Sequence, residues 1–234
     1  MVRVAVYFDT SGSMNRKVDG TPRIELARNM WDDIKHRFDG QFSKLSTINS
    51  RGNSTVLGQL RKRNLEALDK IKIPTPKGGT YLWGFLVEES EKLIKNHDDW
   101  IFLLISDGGD VESKGELHGE GGLEPCARKI KEIGLDVEFI IIGLDLKESI
   151  AESFRKLCGE SGGFFENIDN STAVESVVHK LDNTLSEMGD EGARERRRNI
   201  RYQQYIDSTP ESERPELDLF KATVERKLSY GGRV

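Results

Sequence analysis

Val4-Ala5-Val6-Tyr7-Phe8 runs directly into Asp9-Thr10-Ser11-Gly12-Ser13-Met14. The first half is β-branched and aromatic without polar alternation, the pattern of a parallel strand covered on both faces. The second half is a polar turn in which Asp-x-Ser-x-Ser spacing lets alternate side chains converge on one point. Two later segments repeat the theme. Gly78-Gly79-Thr80 offers a hydroxyl after two glycines that permit close backbone approach, and Ile101-Phe102-Leu103-Leu104-Ile105 ends in Ser106-Asp107-Gly108, a second strand delivering an acid at its carboxyl end. Hydroxyls and carboxylates on tight loops suit a hard cation. Magnesium, or manganese in its place, takes near-octahedral oxygen coordination at about 2.0–2.1 Å and keeps water in the positions that protein does not fill.

The rest of the chain reads as alternating strand and helix. Thr21-Pro22 opens a helix with Ile24, Ala27, Met30, Trp31, Ile34 and Phe38 on one face, with Pro expected at the first helical position. Residues 41–58 read as two short strands about a turn at Ser50-Arg51-Gly52-Asn53. Helical patterns follow at 62–71, 81–95, 122–133, 147–158 and 171–188, with strands at 137–142 and 163–166. Such alternation implies right-handed crossovers and a mainly parallel, doubly wound sheet with helices on both faces.

Asp9, Ser11, Ser13, Thr80 and Asp107 together resemble the metal-ion-dependent adhesion site of the von Willebrand factor A family, whose pattern is Asp-x-Ser-x-Ser, a distant Thr and a distant Asp. The resemblance covers residues 2 to 188 and implies a Rossmann-like fold with the metal at the carboxyl ends of the strands, where such sheets bind ligands. It also implies that Ser11, Ser13 and Thr80 bind the ion directly, that Asp9 and Asp107 often act through water, and that one position stays open for an acidic side chain of a partner protein. Thr10, Gly79, Gly108, Asp110 and Glu112, neighbours of the ligands in sequence, are the expected partner-contact residues. Asp110 and Glu112 also offer alternative carboxylates, although Asp107 fits the pattern better. Stand-alone intracellular relatives commonly work with AAA+ ATPases or in multi-protein assemblies, so the resemblance implies a setting of that kind, such as a MoxR-type ATPase. The region 41–58 departs from the apolar second strand usual in the family.

Composition agrees. At 234 residues the chain can bury a substantial core, and 36% hydrophobic with 32% charged residues describes a well-solvated protein. It contains no 18-residue apolar stretch and opens without a secretory pattern, so the expectation is a cytoplasmic protein with no membrane span. Cys126 and Cys158 fall on helical apolar stripes and read as core thiols, and the four histidines are scattered. The long acidic, glycine-rich loop from Gly108 to Gly122 begins beside Asp107 and reads as a specificity loop or lid.

Past Met188 the composition shifts, giving a domain at 1–188 and a charged helical extension at 189–234. Arg194, Arg197, Arg198 and Arg201 form a basic stripe interleaved with Glu191 and Glu195, and Leu217, Phe220, Val224 and Leu228 form an apolar one. A net charge of −5 and a pI near 5.6 give no general footprint for nucleic acid. The leading expectation is a non-enzymatic, metal-dependent protein-binding module. A metal-dependent phosphohydrolase is the alternative, weakened by the lack of a general base with a supporting partner, of a phosphate loop and of a nucleophile constellation. A nucleic-acid protein acting through the arginine stripe ranks third.

Overall fold

The structure, a computed structural model, describes residues 2–35, 42–48, 55–58, 71–94, 99–133, 137–169 and 173–188. The expected helix at 62–71 and the extension at 189–234, with both its stripes, lie outside the described residues, as does Phe38. The elements are β1 (Val2–Asp9), β2 (Lys17–Val18), β3 (Thr21–Pro22), α1 (Arg23–Ile34), β4 (Phe42–Ile48), β5 (Thr55–Gly58), α2 (Leu82–Ile94), β6 (Asp99–Ser106), α3 (Leu123–Ile133), β7 (Val137–Leu144), α4 (Glu148–Glu160), β8 (Phe164–Ile168) and α5 (Ala173–Met188). One six-stranded sheet has the order β5-β4-β1-β6-β7-β8. Five strands run parallel and β5 joins the edge antiparallel to β4. The two strands expected within 41–58 are these, and Asp99–Ser106 pairs with β1 on its other side.

Period-two alternation divides each central strand between two cores. Val4, Val6 and Phe8 of β1 join Ile101, Leu103 and Ile105 of β6 and Ile140 and Ile142 of β7 under α1 and α5. Ala5 and Tyr7 join Phe102, Leu104, Phe139 and Ile141 on the opposite face, under α2, α3 and α4. The unbroken apolar runs are thus what a sheet sandwiched between two helical layers requires. Aromatic contacts knit the second face: Phe102 stacks on Tyr7 with centroids 4.2 Å apart and meets Phe139 at 5.1 Å. Cys126 and Cys158 are buried there as free thiols.

A charged group is also carried into this layer. Glu89 of α2 is 1% exposed, accepts a hydrogen bond from the Tyr7 hydroxyl at 3.0 Å, and pairs with Lys44 and Lys92. A carboxylate so buried keeps its charge only because cations and a donor surround it. Burial raises its pKa, but the lysines and the Tyr7 hydroxyl outweigh that and leave it below the usual value.

Pro22 sits at the N-cap of α1 and Arg23 is the first helical residue, one later than the sequence suggests. The reason is a hairpin. Thr21–Pro22 pairs with Lys17–Val18 around Asp19 and Gly20, both at positive φ (47° and 81°), the Asp-Gly pair that a two-residue hairpin turn favours. Among the described residues no helix is long and apolar enough to cross a membrane.

Phe102 occupies the centre of the second core and is fully buried. Phe102→Ala is expected to lower unfolding stability by about 3–5 kcal/mol, read by urea denaturation followed by circular dichroism.

Candidate metal centre

Parallel pairing sets Phe8 opposite Ile105, so Asp9 and Asp107 emerge from neighbouring strands at the same edge of the sheet. Both are buried, Asp9 at 0% and Asp107 at 9% exposure. Asp9 Oδ1 accepts the Ser11 amide at 2.8 Å, and Oδ2 accepts the Ser106 hydroxyl at 2.7 Å. Ser106 Oγ in turn accepts the Gly108 amide at 2.9 Å, so the last residue of β6 fixes both the Asp9 carboxylate and the start of the following loop. The Asp9 carboxyl is nevertheless pushed up to about 7, first by burial and then by the charge of Asp107, against the lowering effect of its hydrogen bonds.

The Asp9–Met14 loop closes as a short 3₁₀ turn at Gly12–Asn15. Ser11 and Ser13 hydroxyls lie 2.9 Å apart. The segment carrying Thr80 is laced to this loop through its backbone, with the Gly12 amide donating to Gly78 O and the Lys77 amide to Thr10 O, each at 2.9 Å. A side chain on Gly12 would stand 3.2 Å from Gly78 O, and Gly78 itself has φ 76°, so glycine serves both sides of this contact. Thr80 is buried, and its carbonyl accepts the Val111 and Glu112 amides at 3.1 and 3.0 Å. A Cβ at Gly109 would lie 3.5 Å from Asp107 Oδ1 and 3.9 Å from Ser13 Oγ, which brings the third segment up to the first.

Sequence reasoning missed Arg23. Its Nη1 donates to Asp107 Oδ2 at 2.8 Å, and its Nη2 donates to the Asp145 side chain and, at 3.3 Å, to the Asp145 carbonyl. The guanidinium is nearly buried, and its Nε has no partner among the described residues. The only signals were indirect: an Asp-Gly turn and a proline that fix where α1 begins.

The expected partner-contact residues divide. Thr10, Gly108 and Asp110 are buried, whereas Gly79 and Glu112 are half-buried. Thr10 Oγ1 donates to Ile48 O at 3.0 Å. Asp110 Oδ1 accepts the Glu112 and Ser113 amides and Oδ2 the Trp83 amide, while Ser113 Oγ accepts the Gly84 amide at 3.0 Å. Asp110 and Ser113 therefore cap the free amides at the start of α2, a structural role that sequence reasoning did not assign to Asp110. Val111, at 63% exposure, is the large apolar side chain left at the rim, beside Gly79. The loop from Gly108 to Gly122 is pinned rather than loose: Trp83 Nε1 donates to Gly119 O at 2.7 Å, and Glu116 pairs with Arg128 and Lys129.

The donor set fits a hard cation. Among the described residues no three His, Cys, Asp or Glu side chains come together, so the site is two carboxylates and hydroxyls rather than a carboxylate cage or a nitrogen–sulfur site. Two carboxylates buried against each other, with the Asp9 carboxyl pushed upward by burial and by the charge of Asp107, are the local imbalance that a divalent ion would relieve.

No protein-family model and no curated protein matches the sequence. Solved structures do match. A von Willebrand factor type A protein from Catenulispora acidiphila is 16% identical with a TM-score of 0.55, covering 77% of this chain and 41% of that one. Proximal thread matrix protein 1 from the mussel byssus is 17% identical with a TM-score of 0.56, covering 79% and 48%. The von Willebrand factor domain of the type V pili tip protein Mfa5 from Porphyromonas gingivalis is 13% identical with a TM-score of 0.51, covering 79% and 96%. The chain thus spans less than half the length of the first two. Likeness at such identities speaks for fold alone: the chain has the Rossmann-like fold of von Willebrand factor A domains, a parallel sheet between two helical layers with its acids at the strand ends.

Proposed function

We propose that this protein is a metal-dependent protein-binding module. Ser11, Ser13 and Thr80 would hold magnesium or manganese directly, Asp9 and Asp107 would support it, and an acidic side chain of a partner would complete the shell. The observation that carries this reading is the buried Asp9–Asp107 pair facing a hydroxyl-rich loop on a von Willebrand factor A fold. A cation there supplies electrostatic attraction for a carboxylate, and hydroxyl ligands leave its charge less neutralised than carboxylates would.

The residues favour adhesion over turnover. Both oxygens of Asp9 accept fixed donors, and Asp107 Oδ2 is taken by Arg23. Neither acid is therefore a free base poised over a substrate. Glu112, Gly79 and Val111 form the rim that a partner would touch, with Val111 giving an apolar contact beside the ion. An AAA+ ATPase of MoxR type as partner, which the family resemblance implies, and a cytoplasmic setting belong to the same proposal.

Titration calorimetry of Mn²⁺ into the full chain tests the site: the wild type binds one ion, and Ser11→Ala combined with Thr80→Ala weakens binding by at least about tenfold while the circular dichroism spectrum is kept. Unaltered affinity in that variant contradicts the assignment. Chelator-sensitive capture of partners, lost in Asp9→Ala, extends the test to adhesion, whereas metal-dependent phosphoester hydrolysis abolished by Asp9→Ala would establish the phosphohydrolase instead.

A pH dependence follows from Asp9. Its folded pKa, about 7, lies above the unfolded value of about 3.9, so the folded protein binds more protons between those values. The stability that Asp9 contributes is complete below pH 4 and lost as pH rises through 7. Bound metal replaces the proton and cancels the loss. The magnesium-induced rise in melting temperature over chelator is expected to be larger at pH 8 than at pH 6, and Asp9→Asn should abolish the difference.

A further inference from the structure

The Arg23 guanidinium is 2.8 Å from an acid of the site, and its side chain is 7% exposed. Its two acidic partners differ in kind. The Asp107 side chain is 2% exposed, whereas that of Asp145 is 51% exposed and screened by water. Most of the arginine's electrostatic effect therefore falls on Asp107. The Asp107 carboxylate is divided, with Oδ2 on Arg23 and Oδ1 on the side of Gly109 and Ser13. Arginine suits the position because it stays charged when buried and its fork reaches two acids at once.

We propose that Arg23 is a resident counter-cation that weakens the site's hold on a divalent ion while keeping the occupied site net positive for an acidic partner. The proposal rests on the metal-binding reading above. With both carboxylates ionised, as they would be around a bound ion, they and the guanidinium sum to a single negative charge that a divalent ion turns into a single positive one, the half-exposed and screened Asp145 being left out of the count. Without Arg23 the same site would hold its ion more tightly and be neutral once filled, with less attraction for a partner's carboxylate. Arg23 also keeps the metal-free site assembled, since removing one partner of a buried pair leaves the other charge uncompensated. The Asp-Gly hairpin and Pro22 that start α1 at Arg23 are thus part of the metal site, although they contribute no ligand.

The test measures Mn²⁺ affinity by calorimetry, and melting temperature in chelator and in Mn²⁺, for the full-length wild type, Arg23→Gln, Arg23→Lys and Asp145→Asn. Arg23→Gln should melt lower in chelator, bind Mn²⁺ roughly tenfold more tightly, and show a larger metal-induced rise in melting temperature. Arg23→Lys keeps the charge and should stay near wild-type affinity. Asp145→Asn, which the positive φ at that position tolerates, removes a negative charge and should weaken Mn²⁺ binding by about two- to threefold, the opposite sign. If Arg23→Gln fails to fold, the Asp145→Asn result decides: unchanged or tighter binding overturns the proposal. Equal lowering of both melting temperatures in Arg23→Gln with unchanged affinity would make Arg23 a structural staple. Weaker binding in that variant would make it an orienting group for Asp107, and either result overturns the proposal alone. A folded wild type that binds no Mn²⁺ overturns the metal reading and the proposal together.

Discussion

Two carboxylates buried side by side repel each other and lack water, and the edge of the sheet is organised around that constraint. Asp9 and Asp107 are there because β1 and β6 pair in parallel and end together. Each is tolerated through a different device. Asp9 takes the Ser11 amide and the Ser106 hydroxyl, and Asp107 takes the Arg23 guanidinium. Hydrogen bonds to a charged acceptor are stronger than neutral ones, yet burial first and the charge of Asp107 second still push the Asp9 carboxyl upward. The remaining imbalance is one that a cation at this edge would relieve.

Much of the surrounding architecture serves to hold that edge fixed. The bonds from Gly12 to Gly78 and from Lys77 to Thr10 bring the Thr80 segment against the first loop. Thr80 O takes two amides of the Gly108–Gly122 loop, and Asp110 and Ser113 close that loop onto the first turn of α2. The loops that carry the candidate donors are thereby tied to one another and to rigid elements, so those side chains are held in place. Lacing of this kind lowers the ordering cost of binding.

The sheet was legible in the sequence because its central strands are buried on both faces, which leaves long apolar runs such as Ile101 to Ile105 that few other environments would tolerate. Asp9 and Asp107 drew attention because they follow such runs directly, with Ser11 and Ser13 in the turn after the first, whereas Thr80 stands after two glycines at the head of α2. Arg23 was not, since an arginine at the head of an amphipathic helix ordinarily points to water, and only a tertiary contact 84 residues away makes it part of the site. The capping role of Asp110 was hidden for a related reason. Sequence proximity to Asp107 suggested a surface or ligand role, but its oxygens accept amides that belong to another segment. Residues 41–58 lacked clear alternation because β4 places polar Ser46 and Thr47 in buried positions beside Leu45 and Ile48, which blurs the pattern without removing the strand.

The central claim is that this edge binds a divalent ion through hydroxyls from two loops supported by two acids. Anomalous diffraction at the manganese edge, from crystals of the full chain grown with Mn²⁺, tests it most directly. The account predicts one strong peak within coordination distance of the Ser11, Ser13 and Thr80 hydroxyls, with Arg23 still on Asp107. A well-ordered edge with no peak, or a peak bound elsewhere on the molecule, would contradict it.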